Sequence, residues 1–223
     1  MKRTTAAVLA SLVSALAAPA FCAWQDLPAT DFTVAPPPAP RSAADVADFN
    51  QLMDMQNNTR TKADCALAQT MPSPDFESLF GGSGLLTPAQ MTAVGPLLDR
   101  VTQLGSTISG DFKQEYHRPR PYNENSEIKP CADKPKGATS YPSTHATNAA
   151  LDACVLGRLF PSEADQLASY GKHLGNLRAI VGVHHPTDVA AGQDLAGQIC
   201  KELLAQDDFL AELAKVKASL TSP

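Results

Sequence analysis

"RAIVGVHHPTD", residues 178–188, sets an arginine, two adjacent histidines and an aspartate where one helical pattern gives way to the next. The run from Pro161-Ser162 towards Val183 reads as one helix, and the run from about 185 to 205 as another. His184 and Asp188 are four residues apart, so on a continuous helix they share a face. Pro186 is compatible with this, because proline is accepted in a first helical turn, and the helix is expected to begin near His184. An aspartate bonded to one imidazole nitrogen fixes the tautomer and leaves the other nitrogen as a base or nucleophile. The alternative is a metal site of His184, Asp188 and His145. Nearby cationic side chains argue against it, since they repel a divalent ion.

Those cations come from further up the chain. "KQEYHRPRP" (113–121) supplies Lys113 and Arg120, and Arg178 opens the stretch quoted above. Arginine suits bidentate contact with an anion and lysine acts as a point charge. Arg118 falls outside this spacing and is expected on an exposed basic patch. "YPSTH" (141–145) adds Ser143 and His145. With Ser143 as an N-cap, the first backbone N–H groups of the helix, those of Thr144 and His145, have no intrahelical acceptor. Such a helix start binds anions, phosphate above all. His117, His173 and His185 have no matching partners and are assigned to surface or packing roles.

Working outward, the remaining pattern is helical. Val46, Phe49, Leu52 and Met53 recur at helical spacing from Ala43 onward, and the pattern is expected to run through Ala66 and Ala68. "PSPDFESLFGGSG" (72–84) breaks it. Thr87-Pro88 reads as an N-cap followed by proline in the first turn. Met91, Val94, Leu97, Leu98, Val101 and Leu104 continue that helix, and a further helix reaches Tyr116. Residues 118–142, with five prolines, form a long polar loop, and loops of this length in a compact domain are usually functional or disordered. Ser143 caps a helix through "THATNAALDACVLGRLF", and the last helix covers 207–219. There is no hairpin signal, sustained alternation or repeat. The expectation is an all-α fold: a single-domain helical bundle over residues 43–220.

The two ends of the chain's first 42 residues differ. "MKRTTAAVLASLVSALAAPAFCA" (1–23) has a basic start, an apolar run and small residues before a cut after Ala20, or as late as Ala23. It reads as a signal peptide, with an uncleaved anchor or a lipidated Cys22 as alternatives. Residues 24–42 are proline-rich and read as an extended arm, either a flexible leader or a strap. Removing the leader moves the formal charge from -5 to -7. With no basic stripe, a nucleic-acid partner is not expected. No later run is long and apolar enough for an integral membrane segment. Export would place Cys65, Cys131, Cys154 and Cys200 in an oxidising compartment, periplasmic or secreted. Of the three connectivities, Cys65–Cys131 with Cys154–Cys200 is favoured over the others and over reduced buried thiols. None of the cysteines sits in a C-x-x-C pair.

Together the three clusters resemble the K-x6-R-P, P-S-G-H and S-R-x5-H-x3-D signature of the type 2 phosphatidic acid phosphatase (PAP2) and vanadium haloperoxidase superfamily. The chain from about Ala43 to Leu220 is similar in element order to the secreted class A bacterial non-specific acid phosphatases. The resemblance implies a cofactor-free, metal-independent hydrolase of small phosphate monoesters, able to pass phosphate to alcohols and inhibited by phosphate or vanadate. It implies that Lys113, Arg120, Ser143, Thr144, His145 and Arg178 hold the phosphate. His184 would be the nucleophile, Asp188 its orienting partner, and His145 the acid and then base. Thr144 stands where the family has glycine, and Leu177 where it usually has serine. The alternatives are a vanadate-dependent haloperoxidase, a soluble lipid-headgroup phosphatase and a phosphate-binding protein without turnover. Assembly into a homo-oligomer is left open.

Overall fold

The computed structural model describes residues 23–221; the leader expected over residues 1–20 lies outside them. Within these described residues nine α-helices follow one another: α1 (Ala43–Asp54), α2 (Lys62–Gln69), α3 (Phe76–Phe80), α4 (Pro88–Tyr116), α5 (Pro121–Glu124), α6 (Thr144–Leu159), α7 (Ala164–Ile180), α8 (Pro186–Leu203) and α9 (Asp207–Thr221). Among the described residues there is no strand, only an isolated bridge between Pro119 and Thr139. The all-α expectation holds, and no described helix is long and apolar enough to cross a membrane.

Helix α6 is the axis of the bundle. Its residues are buried around most of its circumference, from Ala146 and Ala149 to Leu151, Val155 and Leu156, as a helix surrounded by others must be. Helices α4, α7 and α8 enclose it. Small residues set the closeness of this packing. A Cβ on Gly171 of α7 would lie 2.4 Å from the Ala149 carbonyl oxygen, and one on Gly192 of α8 would lie 2.6 Å from that of Ser143. Neither position accepts a side chain without moving α6, and the second approach brings α8 against the α6 N-terminus. The disulfide Cys154–Cys200 ties the same two helices, and Cys65–Cys131 ties α2 to the long loop. Both favoured pairings are present.

Three features depart from the sequence reading. The run expected from Ala43 through Ala68 is interrupted: residues 55–59 widen into a π-turn and Arg60 is extended. A new helix starts at Thr61, whose side chain and Asp64 form a reciprocal cap. The two helices expected between Thr87 and Tyr116 are one, α4, of 29 residues with Pro96 inside. Thr87 caps it through Gln90 N–H, and Pro88 follows as expected. The break expected over 72–84 contains the short α3, capped by Asp75.

The proline-rich arm is a strap rather than a free leader. Two short 3-10 turns, Trp24–Asp26 and Ala29–Asp31, interrupt its extended course. Trp24 is 1% exposed and packs edge-on against Phe209 of α9. Tyr116 and Tyr141 donate their hydroxyls to the Val34 and Ala35 carbonyls. The arm's backbone acceptors are therefore satisfied by side chains from the end of α4 and from the loop that follows it.

Candidate active site

Arg178 leaves α7 in its last turn, and the chain then reverses at Gly182, whose φ of 80° suits a residue without a Cβ. The Arg178 carbonyl accepts from both Val183 N–H and His184 N–H, closing the turn. His185, not His184, is the N-cap of α8, with Pro186 in its first turn. His184 thus sits one residue ahead of the N-cap. Asp188 nevertheless reaches it, because the first turn of α8 folds the carboxylate back towards the chain.

The hydrogen-bond inventory assigns the tautomer of His184. Arg120 Nη1 lies 2.8 Å from His184 Nε2, and its other hydrogen goes to the Val183 carbonyl at 3.0 Å. A guanidinium only donates, so Nε2 carries the lone pair and Nδ1 carries the proton. That proton faces Asp188 Oδ2 at 3.3 Å. His185 N–H donates to the same oxygen at 2.8 Å. His145 is assigned in the same way: its Nε2 lies 3.3 Å from the Met71 carbonyl, which only accepts, so Nε2 is the protonated nitrogen.

Lys113, Arg120, Thr144, His145, Arg178 and His184 all line one cavity of about 720 Å³. Of the residues singled out in the sequence, only Ser143 and Asp188 stand behind its wall. Ser143 is fully buried and caps α6 by accepting from Ala146 N–H at 3.4 Å, while its own N–H donates to the Asp188 carbonyl. One backbone bond thereby joins the two motifs. Thr144 faces α4, where Ser109 Oγ lies 3.0 Å from its hydroxyl. Lys113 reaches back to the Ser140 carbonyl at 3.0 Å and to that of Pro142. Arg178 is the exception: it is 3% exposed, and its Nε and Nη1 are buried without a hydrogen-bond partner among the described residues. Orphaned guanidinium donors on a cavity wall are a strong demand for an anion. The cavity also takes in Lys134 and Lys136 of the long loop, which no spacing rule singled out.

These placements depress the basic groups. Burial, with Arg120 beside it, lowers Lys113 to about 7. Burial, again with Arg120, lowers Arg178 to about 10. Burial and the surrounding cations hold both His145 and His184 well below the usual imidazole range. In the other direction, burial pushes the Asp188 carboxyl up to about 6, against the opposing pull of Arg118 and the His185 N–H. The alternative metal set does not converge, since Asp188 faces the Nδ1 side of His184, whereas His145 lies on the cavity. Among the described residues no other cluster of His, Cys, Asp and Glu is placed to hold a metal ion.

One assignment is overturned. Arg118 is not on an exposed patch but is 6% exposed, with four of its five N–H donors engaged. Its Nη1 donates to Asp188 Oδ1 at 2.8 Å and Thr187 Oγ1 at 2.7 Å. Its Nη2 donates to Asp48 Oδ2 at 2.8 Å and Asp45 Oδ1 at 3.2 Å. A signal for this was present, because residues 118 and 120 flank a proline and alternate residues of an extended segment share a face. His185 has the packing role expected of it, edge-on to Phe49 and 3.2 Å from Glu124.

Two buried arginines, a partly buried lysine and a carboxylate-oriented histidine meet on one cavity of the helical bundle, an arrangement suited to binding an anion. Residues 100–208 match the model of the PAP2 superfamily. An acid phosphatase of Zymomonas mobilis subsp. mobilis is 27% identical over 199 residues, covering 84% of this chain and 74% of that protein. A non-specific acid phosphatase of Providencia stuartii is 29% identical over 171 residues, covering 74% and 68%. Among solved structures, a transmembrane PAP2-type phosphatidylglycerolphosphate phosphatase from Bacillus subtilis aligns with a TM-score of 0.41 and 20% identity, over 72% of this chain and 94% of that one. Over residues 100–208 the chain is similar to the PAP2 superfamily. It is a phosphatase, akin to the bacterial acid phosphatases.

Proposed function

We propose that the protein is a periplasmic or secreted acid phosphatase that hydrolyses phosphate monoesters through a phosphohistidine. The observation that carries this reading is His184, with its Nε2 lone pair turned to Arg120 on the cavity and its Nδ1 proton turned to Asp188. Lys113, Arg120 and Arg178, with the Thr144 and His145 N–H groups, hold the phosphate; Ser143 fixes the helix start that presents them. His184 Nε2 attacks phosphorus as the P–O bond to the alcohol breaks. The departing oxygen takes a proton from His145, which enters the step as the imidazolium because the bound phosphate dianion offsets the surrounding cations. Water then attacks phosphorus, the P–N bond breaks, and His145 takes the water's proton. Charge building on the phosphoryl oxygens is met by donors that are already in place, the arrangement that lowers such barriers most. Asp188 stabilises the imidazolium side of the intermediate.

An alcohol in place of water would accept the same phosphoryl group, which gives a phosphotransferase activity from the same site. Export rests on the leader pattern of residues 1–23 and agrees with two disulfides. The domain is proposed to span residues 43–220, with 24–42 as its strap. Release of p-nitrophenol from its phosphate ester tests the proposal. Turnover that persists in EDTA and is blocked by vanadate is the expected result. Activity lost on chelation and restored by zinc or magnesium would contradict it.

A further inference from the structure

Two guanidiniums clasp the His184–Asp188 pair from opposite ends. Arg118, Pro119 and Arg120 form a locally extended segment, fixed by the Pro119–Thr139 bridge, so both arginines emerge on one buried face. Arg120 takes the Nε2 end of the pair, on the cavity. Arg118 takes the far end, Asp188 Oδ1, the oxygen that His184 and His185 leave unused. We propose that Arg118, anchored by Asp45 and Asp48 of α1, is a positioning residue for the reaction. It fixes the Asp188 carboxylate in the plane that orients His184 and keeps it ionised. The inference rests on the phosphatase reading above.

The geometry supports a positioning role in three ways. Four of the five donors of Arg118 are committed, two to Asp188 and Thr187 and two to α1. The guanidinium is therefore held away from the cavity and does not compete for the phosphate. Asp48 also accepts from Thr187 N–H at 3.1 Å and from its hydroxyl, so α1 grips the first turn of α8 directly. Finally, one arginine serves three carboxylates. A buried cluster with surplus negative charge is a poor device for stability; here its charge faces the one carboxylate that touches the nucleophile.

The charges around Asp188 set the sign of the expected effect. Arg118 faces it from the segment after α4, and Lys113 and Arg120 act on it from the cavity side. Asp45 and Asp48 lie beyond Arg118 on α1, while Glu124 of α5 and Tyr141 add to the acidic side. His184 and His185 are its neighbours on its own element. Removing the Arg118 cation lets the His184–Asp188 pair take up its extra proton at higher pH. Removing the Asp48 anion does the reverse.

The test is the pH dependence of kcat/KM for p-nitrophenyl phosphate in wild type, Arg118→Gln, Arg118→Lys and Asp48→Asn. The ionisation of the substrate is common to all four and cancels in the comparison. The acid limb is expected to move up by about one pH unit or more in Arg118→Gln, by less in Arg118→Lys, and down in Asp48→Asn. Competitive inhibition by inorganic phosphate is expected to change less than threefold, because Arg118 does not line the cavity. A purely structural role would lower the melting temperature of every variant but would not move the limbs in opposite directions. Coincident limbs in wild type and Arg118→Gln would overturn the proposal. If Arg118→Gln does not fold, an acid limb that is unmoved or raised in Asp48→Asn overturns it equally. No turnover by the wild type at any pH would instead defeat the phosphatase reading itself.

Discussion

Two charged regions lie back to back across His184, and they are built on opposite plans. On the cavity side, Lys113, Arg120 and Arg178 stand together, and among the described residues no carboxylate is bonded to any of them and two Arg178 nitrogens have no partner. On the far side, Arg118 is surrounded by Asp45, Asp48 and Asp188, with every contact at hydrogen-bond distance. The first region is under-satisfied, and the second has more negative charge than its one arginine offsets. The difference separates the jobs of binding and positioning. Buried cations without partners are costly to the fold and are completed by an anionic substrate. A guanidinium saturated by carboxylates does nothing for a ligand but holds its neighbours still.

The sharpest way to break the comparison is to remove one arginine from each side. Arg178→Met is expected to lower kcat/KM by roughly a hundred- to a thousandfold, the scale of one lost donor to transition-state charge. Its melting temperature should not fall, since the substitution removes buried donors that have no partner and cost about 1–3 kcal/mol each when left so. Arg118→Met is expected to destabilise by about 3–5 kcal/mol, as breaking a buried ion pair does. Thermal unfolding of the two variants side by side checks this. Equal loss of stability in both would mean that the two sides are not differently satisfied.

A smaller effect is expected at Lys113, which burial and Arg120 lower to about 7. Its folded value is depressed, so in the free enzyme the ammonium is charged below pH 7 and lost above it. The advantage of wild type over Lys113→Met in phosphate affinity should therefore be full below pH 7. Above it, the advantage should shrink by up to about tenfold per pH unit. Inhibition constants for phosphate measured from pH 5 to 9 would show it. A constant advantage over that range would contradict the assigned state of Lys113.

Much of this was legible from local chemistry. Ser143 and Thr87 mark helix starts because a hydroxyl that accepts a first-turn N–H is a local device, whereas the same device at Thr61 was read through as continuous helix. The alternation of polar clusters with helical runs is local too. Lys113, Arg120, His145, Arg178 and His184 meet on one cavity as their motif implied. What was misjudged or left open depends on distant partners. Arg118 looks like an exposed basic residue until Asp45 and Asp48, some seventy residues earlier, close on it. Trp24 belongs to a proline-rich arm by composition and to the core by its contact with Phe209. The depressed basicity of His184 follows from its burial and from three cations that converge only in the fold.

The smallest expected effect belongs to Thr144, where the family signature has glycine. Its hydroxyl lies against Ser109 of α4, and the residue lines the cavity without disturbing the α6 cap. Thr144→Gly is expected to alter the relative rates of bulky and small esters by roughly tenfold or less, about 1.4 kcal/mol. Comparing kcat/KM for a nucleotide and a small alkyl phosphate checks it. A rise of several hundredfold for every ester alike would show that threonine obstructs the phosphate itself.

The central claim is that the nitrogen between the two regions takes the phosphoryl group, and rapid quenching tests it most directly. Enzyme mixed with phosphorus-labelled p-nitrophenyl phosphate, stopped in alkali within the first turnover and digested, should carry its label on His184. The His184→Ala variant should carry none and should lose turnover by about four orders of magnitude or more. Label recovered on His145 or His185, or trapped undiminished in the His184→Ala variant, would contradict the account.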